Sequence, residues 1–208
     1  MGTSNFRKLC LFGTVLALCV IVLGAYVRLS DAGLGCPDWP GCYGHLTAGQ
    51  AAENHATVNA AYPDRPIEYE KALKEMLHRY LASGLGLVIL AIAFVAWRNR
   101  RDAHQPVKLP LALVALVIFQ GILGMWTVTL LLKPAIVTAH LVGGLTTMSL
   151  LWWLALDTSR RSRPAGEASL RRWAYVGAVV LALQIMLGGW VSTNYAAVAC
   201  PDFPTCQA

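Results

Sequence analysis

The stretch "LGAYVRLSDAGLGCPDWPGC", residues 23–42, has a similar second copy in this chain. Its second copy is "LGGWVSTNYAAVACPDFPTC", residues 187–206, and the two copies align without a gap at an offset of 164 residues. In each copy the end of an apolar run leads into a loop of the pattern C-P-D-aromatic-P-x-C. Similarity of this density indicates an internal duplication, in which each unit opens with an apolar helix followed by a cysteine loop.

The composition indicates an integral membrane protein. Apolar residues make up 56% of the chain and charged residues only 13%, and the mean hydropathy is +0.52, well outside the range of soluble domains. A helix needs about 20 apolar residues to cross the hydrocarbon layer. Five runs meet this requirement, near residues 9–27, 80–97, 110–132, 135–156 and 173–191.

The repeat predicts the domain organisation. We expect residues 1–160 to form a four-helix membrane bundle with an outer loop over residues 28–79, in which the amphipathic segment 66–79 extends the second span. Residues 161–208 then contain a cytoplasmic loop, the fifth span and the cysteine loop of a second bundle. The predicted fold class is an all-α integral membrane protein: a four-helix transmembrane bundle plus a fifth helix that begins an incomplete repeat. Because the sequence stops inside the repeated loop, we expect a longer parent protein.

Basic residues predict the orientation, since Lys and Arg are retained on the cytoplasmic side. Eleven of the seventeen precede the first span or lie between the second and third or the fourth and fifth spans: Arg7, Lys8, Arg98, Arg100, Arg101, Lys108, Arg160, Arg161, Arg163, Arg171 and Arg172. We therefore expect a cytoplasmic N-terminus and cysteine loops on the outer side. The net charge of +6 then reflects topology, and no nucleic-acid partner is expected. A signal peptide also begins with basic residues, but a cleaved segment has no reason to match an internal span.

Cys36 and Cys42 lie on the outer loop with five residues between them, and an oxidising compartment favours a disulfide between them. Their spacing matches neither the C-x-x-C-H haem attachment motif nor the C-x-x-C redox motif. We therefore favour a disulfide that shapes the mouth of the bundle over a catalytic redox role, which stays open.

Two histidines, His78 and His140, lie on apolar helices that enter from the outer side at similar depth. An ionisable group inside the bilayer is costly and suggests function. Two imidazoles on neighbouring, parallel-running helices can bind one haem iron from opposite faces. The alternative is that each histidine bonds a backbone carbonyl and that the glycines nearby only allow close helix packing. Those glycines, which would leave room for a flat ring, are Gly84, Gly86, Gly121, Gly124, Gly143 and Gly144.

Glu75 precedes His78 by one helical turn and lies on roughly the same helix face. Beside a haem edge its carboxylate can accept a proton or stabilise positive charge, and the alternative is an ordinary ion pair with Lys71 or Arg79. Arg28 and Arg79, at the outer ends of the first two spans, can pair with haem propionates. They are equally suited to be interfacial anchors.

Four stretches together resemble the haem A synthase family: "RLSDAGLGCPDWPGCYG" (28–44), "EMLHRYLASGLG" (75–86), "VTAHLVGG" (137–144) and "GGWVSTNYAAVACPDFPTC" (188–206). Members of that family are membrane enzymes that oxidise the C8 methyl of haem O to the formyl group of haem A. The resemblance implies eight helices in two four-helix halves, each with a histidine pair and an outer cysteine loop.

By position, the resemblance makes His78 and His140 the haem iron ligands of the substrate half and matches Glu75 to the acidic residue of the first outer loop, with a catalytic role. It also implies disulfides Cys36–Cys42 and Cys200–Cys206, haem O as substrate, and a haem b cofactor in the second half that this sequence lacks. Expected neighbours in a bacterial inner membrane are haem O synthase, cytochrome oxidase assembly proteins and lipid, with an oligomer also open. The competing hypothesis is a bis-histidine membrane cytochrome that exchanges electrons with quinone.

Overall fold

The computed structural model describes residues 3–157, 168–196 and 199. Every regular element within these ranges is helical, so the all-α prediction is confirmed. The helices are α1 (Thr3–Leu29), α2 (Ala48–Glu53), α3 (His55–Ala61), α4 (Tyr69–Arg98), α5 (Lys108–Thr129), α6 (Pro134–Asp157) and α7 (Ala168–Thr193).

Five of these helices are long and apolar enough to cross a membrane, as predicted: α1, α4, α5, α6 and α7, with window hydropathies between 1.4 and 2.5. The segment 66–79 was expected to extend the second span, and α4 does begin at Tyr69 as one continuous helix of 30 residues. The predicted outer loop before α4 contains two short helices, α2 and α3. The side chain of Thr47 caps α2 by accepting the Gln50 N–H at 3.2 Å.

The third span ends at Thr129, three residues before the predicted boundary at 132. Leu131 donates its N–H to the Val128 carbonyl, and Leu132 donates to the Thr127 carbonyl at 2.8 Å. This pair of bonds is the Schellman arrangement, which places Leu131 at a positive φ of 53°. Apolar composition extended the predicted span, but this hydrogen bonding ends the helix and turns the chain toward α6.

The two copies of the repeated stretch end their helices in the same way. Asp31 follows α1 at φ 52°, and Tyr195, its equivalent in the second copy, follows α7 at φ 54°. Each donates its N–H to the carbonyl three residues earlier, Arg28 for the first copy and Ser192 for the second. The sequence similarity thus extends to backbone conformation, which supports duplication of the helix and its cap.

Four helices form a bundle in which α1 and α5 each pack against both α4 and α6. Consequently α4 and α6 occupy diagonal corners and face each other across the interior, as do α1 and α5. Helix α7 packs on the outside of α6. A Cβ on Gly189 of α7 would lie 2.9 Å from Leu141 Cδ2, so glycine permits this close approach.

Two buried apolar clusters lie at different levels of the bundle. One joins the halves of the helices distant from the cysteine loop, with Phe6, Ile92 and Leu154 among its members. The other lies under the cysteine loop and contains Cys36, Cys42, Ala72 and Met76 among others. None of residues 134–146 of α6 is fully buried. The histidines, His78 and His140, are members of neither cluster.

Candidate functional site

His78 lies on α4 and His140 on α6, the two diagonal helices, so they approach the bundle interior from opposite sides. The prediction that they lie on neighbouring helices is wrong, although both helices do run in the same direction. The imidazoles are close enough for their charges to interact. Both rings are part-buried, and each Nδ1 is fully buried without a hydrogen-bond partner among the described residues.

The His78 ring packs against the backbone of α1 at Gly24. A Cβ at Gly24 would lie 2.8 Å from His78 Cε1, closer than real Cβ contacts, so only glycine leaves room for the ring. The Val20 carbonyl, one turn away on α1, also lies beside the imidazole. It is the acceptor available to a ring N–H, although Nδ1 makes no bond of normal geometry.

His140 has a matching environment on α5. A Cβ at Gly124 would be 3.6 Å from His140 Cε1, and the backbone carbonyl of Gln120 lies near the imidazole, although His140 Nδ1 makes no bond of normal geometry. Each histidine therefore has a glycine against its ring and a backbone carbonyl beside it, both supplied by an adjacent helix.

Six glycines near the histidines were predicted to leave room for a flat ring, and they have different surroundings in the structure. Gly124 does face a histidine, but Gly143 contacts the Gln120 side chain and Gly144 faces Ile21. No heavy atom of the described residues lies within 4 Å of a Cβ built at Gly84, Gly86 or Gly121. Gly24, which makes the tightest approach to a histidine ring, was noticed only as part of the repeat.

Gln120 is a site residue that the sequence reasoning missed. It is 9% exposed, and its Nε2 has no hydrogen-bond partner among the described residues. The amide lies so close to the Gly143 backbone that a side chain there would overlap it. The available signal was its position as a lone polar residue in the apolar run 109–126.

Glu75 is 4% exposed and joins α4 to the cysteine loop. Its Oε2 accepts the Cys36 N–H at 2.9 Å, and its Oε1 pairs with Arg79. The Arg79 guanidinium also donates to three loop carbonyls, those of Asp38, Pro40 and Gly41. Of the ion pairs considered from sequence, Glu75 therefore makes the one with Arg79, while Lys71 pairs with Glu68 at 3.0 Å.

The cysteine loop is held by a disulfide and by Asp38, the aspartate of the repeated C-P-D pattern. Cys36 and Cys42 are bonded and fully buried. The Asp38 carboxylate accepts the N–H groups of Tyr43 and Gly44 at 2.6 and 2.8 Å, which satisfies a turn whose residues have φ of 54° and 76°. This gives the repeated C-P-D pattern a structural reason. The predicted disulfide between Cys200 and Cys206 lies outside the described residues.

Arg28 connects α1 to the end of α7. Its guanidinium donates to the Ser192 carbonyl at 2.9 Å and to the Tyr195 hydroxyl at 3.0 Å, and it stacks 4.2 Å from the centroid of the Tyr195 ring. Arg28 and Ser192 are equivalent positions of the repeat. The contact therefore joins the two copies of the repeated stretch directly.

The fold and site define a multi-pass helical membrane protein with a histidine pair facing the interior of a four-helix bundle. No group of three or more His, Cys, Asp or Glu among the described residues could hold a metal ion alone. A family model of cytochrome oxidase assembly proteins, COX15-CtaA, matches residues 7–208. The chain belongs to this family.

Curated relatives carry the name Heme A synthase. The chain is 51% identical to the protein of Shewanella oneidensis over 196 residues, which cover 93% of this chain and 58% of the relative. It is 30% identical to that of Alkalihalophilus pseudofirmus (91% and 60% covered) and 28% identical to that of Halalkalibacterium halodurans (97% and 65% covered). The chain thus spans less than two thirds of the length of these relatives. No solved structure matches it significantly.

Proposed function

We propose that the chain holds haem O between His78 and His140 as the substrate half of a haem A synthase. The observation that carries this proposal is the histidine pair on diagonal helices, with both rings part-buried and each Nδ1 lacking a hydrogen-bond partner among the described residues. The 51% identity to a protein named Heme A synthase supports the same substrate and reaction.

The residues present fit haem in two respects. An iron-ligating imidazole donates its second ring N–H to a carbonyl or carboxylate, which fixes the ring, and the Val20 and Gln120 carbonyls lie beside the two rings. A porphyrin supplies four iron ligands itself, so two histidines complete the coordination without the larger ligand cluster that a bare metal ion requires.

The reaction converts a methyl group to a formyl group in two two-electron oxidations. Water supplies a hydroxyl each time, and the resulting diol loses water to give the aldehyde. Four electrons and four protons leave overall, the electrons passing to an acceptor outside this chain. Glu75, one turn from His78, is the carboxylate available to accept protons. Its bonds to Arg79 and Cys36 hold it in place for that role.

The propionates of haem O need cationic partners near the aqueous boundary. Arg28 uses two of its five N–H donors for α7, so it retains donors for a carboxylate. Arg79 already pairs with Glu75 and donates to loop carbonyls, which makes Arg28 the better candidate for binding a propionate. Both arginines lie at the end of the bundle that carries the cysteine loop.

We also propose the orientation and the wider setting. Arg7 and Lys8 at the start of α1, Arg98 at the end of α4 and Lys108 at the start of α5 all lie at the opposite end from the cysteine loop, which favours a cytoplasmic N-terminus in a bacterial inner membrane. The complete enzyme would add a haem b cofactor, receive haem O from its synthase and pass haem A to cytochrome oxidase assembly.

The test is the identity of the haem bound to purified chain after co-expression with a source of haem O. Extraction and mass measurement should find haem O, its alcohol or haem A. Glu75→Gln keeps the carbonyl that accepts the Cys36 N–H but removes the charge, so it should retain haem O and yield no oxidised product. Wild-type oxidation by Glu75→Gln would remove the proposed role of the carboxylate. Haem b alone in the wild type would favour the electron-carrying cytochrome.

A further inference from the structure

The Gln120 amide is a buried polar group that the haem ligands do not use. Burial of an amide without a hydrogen bond is costly, yet Gln120 lies in an otherwise apolar stretch of α5 and its Nε2 has no partner among the described residues. Gly143 leaves the space that the amide occupies. A leucine at this position would avoid the cost, so the glutamine indicates a polar partner supplied by a ligand.

The depth of Gln120 in the bundle, compared with that of His140, limits which part of a bound ligand can contact the amide. His140 lies six residues into α6, about 9 Å from its start, whereas Gln120 lies nine residues before the end of α5, about 14 Å from that boundary. The contact with Gly143 agrees with this depth. Gln120 is therefore about one helical turn further from the cysteine loop than the iron ligand.

We infer that Gln120 recognises the hydroxyl group of the hydroxyethylfarnesyl side chain of haem O and so selects haem O over haem B. This inference rests on the proposed function. Charged propionates must face the aqueous end, where Arg28 and Arg79 lie, because charge is costly in hydrocarbon. The opposite porphyrin edge then points deeper into the bundle, and on haem O it carries the only other strongly polar group. Haem B has a vinyl group there.

An amide suits this partner because it both donates and accepts hydrogen bonds, as a hydroxyl does. A site that hydrogen-bonds a substrate hydroxyl discriminates against an analogue that lacks it, because the buried polar group is then left unpaired. The vinyl group of haem B would leave the Gln120 amide without a hydrogen-bond partner. The hydroxyl group of haem O would form a hydrogen bond with the amide.

The experiment compares binding of haem O and haem B to the full chain in detergent, titrated by absorbance, for the wild type and three variants. Gln120→Leu removes the amide, Gln120→Met keeps the side-chain length, and Gly143→Ala displaces the amide without altering it. We expect each to weaken haem O binding about three- to tenfold, the range for one lost hydrogen bond, and to leave haem B binding unchanged or tighter. Thr147→Val is the matched control, since that buried hydroxyl already donates to the Gly143 carbonyl at 2.9 Å.

The outcomes separate this inference from the proposed function. Equal weakening of haem O and haem B would overturn it, because Gln120 would then act only by positioning His140. An unchanged preference for haem O in all three variants would also overturn it while the histidine site stands. Wild-type chain that binds neither haem would end both proposals. If Gln120→Leu does not fold, the Met and Ala variants still decide the question.

Discussion

Adding one methyl group at Gly24 should impair haem binding more than the same change at any other glycine near the histidines. The Cβ of Gly24→Ala would lie 2.8 Å from His78 Cε1, whereas ordinary contacts begin at 3.4 Å, so the ring must move by about 0.6 Å. The ring is the end of a side chain and can rotate away in the free protein. It cannot do so and still present its nitrogen to iron in the same place.

The expected cost of this overpacking is about 1–3 kcal/mol, which corresponds to a Kd for haem O about 5- to 150-fold weaker. Two matched variants test whether the loss of haem affinity depends on the distance between the added Cβ and the histidine ring. Gly124→Ala places its Cβ 3.6 Å from His140 Cε1, an ordinary contact, and Gly121→Ala meets no described atom within 4 Å. We expect Gly124→Ala to weaken haem O binding slightly and Gly121→Ala to leave it unchanged.

The assay is absorbance titration of each purified variant with haem O, together with its thermal unfolding midpoint without haem. Gly24→Ala should weaken binding while the midpoint changes little, because the unligated ring can relax. Wild-type affinity in Gly24→Ala, or equal weakening in Gly121→Ala, would refute the reasoning that the α1 backbone fixes the His78 ring.

Three further predictions concern stability. Arg79→Met leaves Glu75 buried without its cation and should cost about 3–5 kcal/mol, seen as a lower unfolding midpoint. The control is Lys71→Met, which removes a part-exposed ion pair with Glu68, and equal shifts of the midpoint would contradict the prediction. Cys36→Ser opens a short disulfide loop and should cost about 2 kcal/mol in unfolding measurements without removing an iron ligand; complete loss of haem would argue otherwise. Arg28→Met removes the contact between α1 and α7, so limited proteolysis should release α7 faster, and an unchanged digestion pattern would count against that contact.

The sequence predicted the membrane helices well because their signal is cumulative. Some 20 apolar residues in a row determine a span regardless of which residues they are. The boundaries depend on local hydrogen bonds instead, which is why the α5 end at Thr129 differed from the predicted 132. Leucines at 131 and 132 look like helix in composition, but they adopt the positive φ of a helix cap.

Three residues of the candidate site could be singled out from the sequence, but their neighbours could not. His78, His140 and Glu75 stood out because ionisable residues inside apolar helices are rare. Gly24 could not be assigned, since a contact between α1 and α4 depends on how the helices pack. The diagonal placement of the histidines likewise follows from the order of helices around the bundle. Gln120 carried a readable signal, a lone amide in an apolar run, which was overlooked.

The disulfide loop shows a second limit on what the sequence can predict. Composition and compartment were sufficient to predict a bond between Cys36 and Cys42. They gave no indication that Arg79 and Glu75 would bind the loop through its backbone, because backbone acceptors such as the carbonyls of Pro40 and Gly41 leave no trace in the sequence. The repeated C-P-D pattern did contain that information for Asp38, which accepts two N–H groups of the turn.

The proposed function requires that His78 and His140 hold one haem O between them. The most direct measurement is the haem O content per chain after co-expression with its source, compared between the wild type, His78→Ala and His140→Ala, with the exposed His104→Ala as control. We expect about one haem per chain in the wild type and the control, and loss of the two-histidine spectrum in both site variants. Retention of haem O with an unchanged spectrum in either site variant would contradict it.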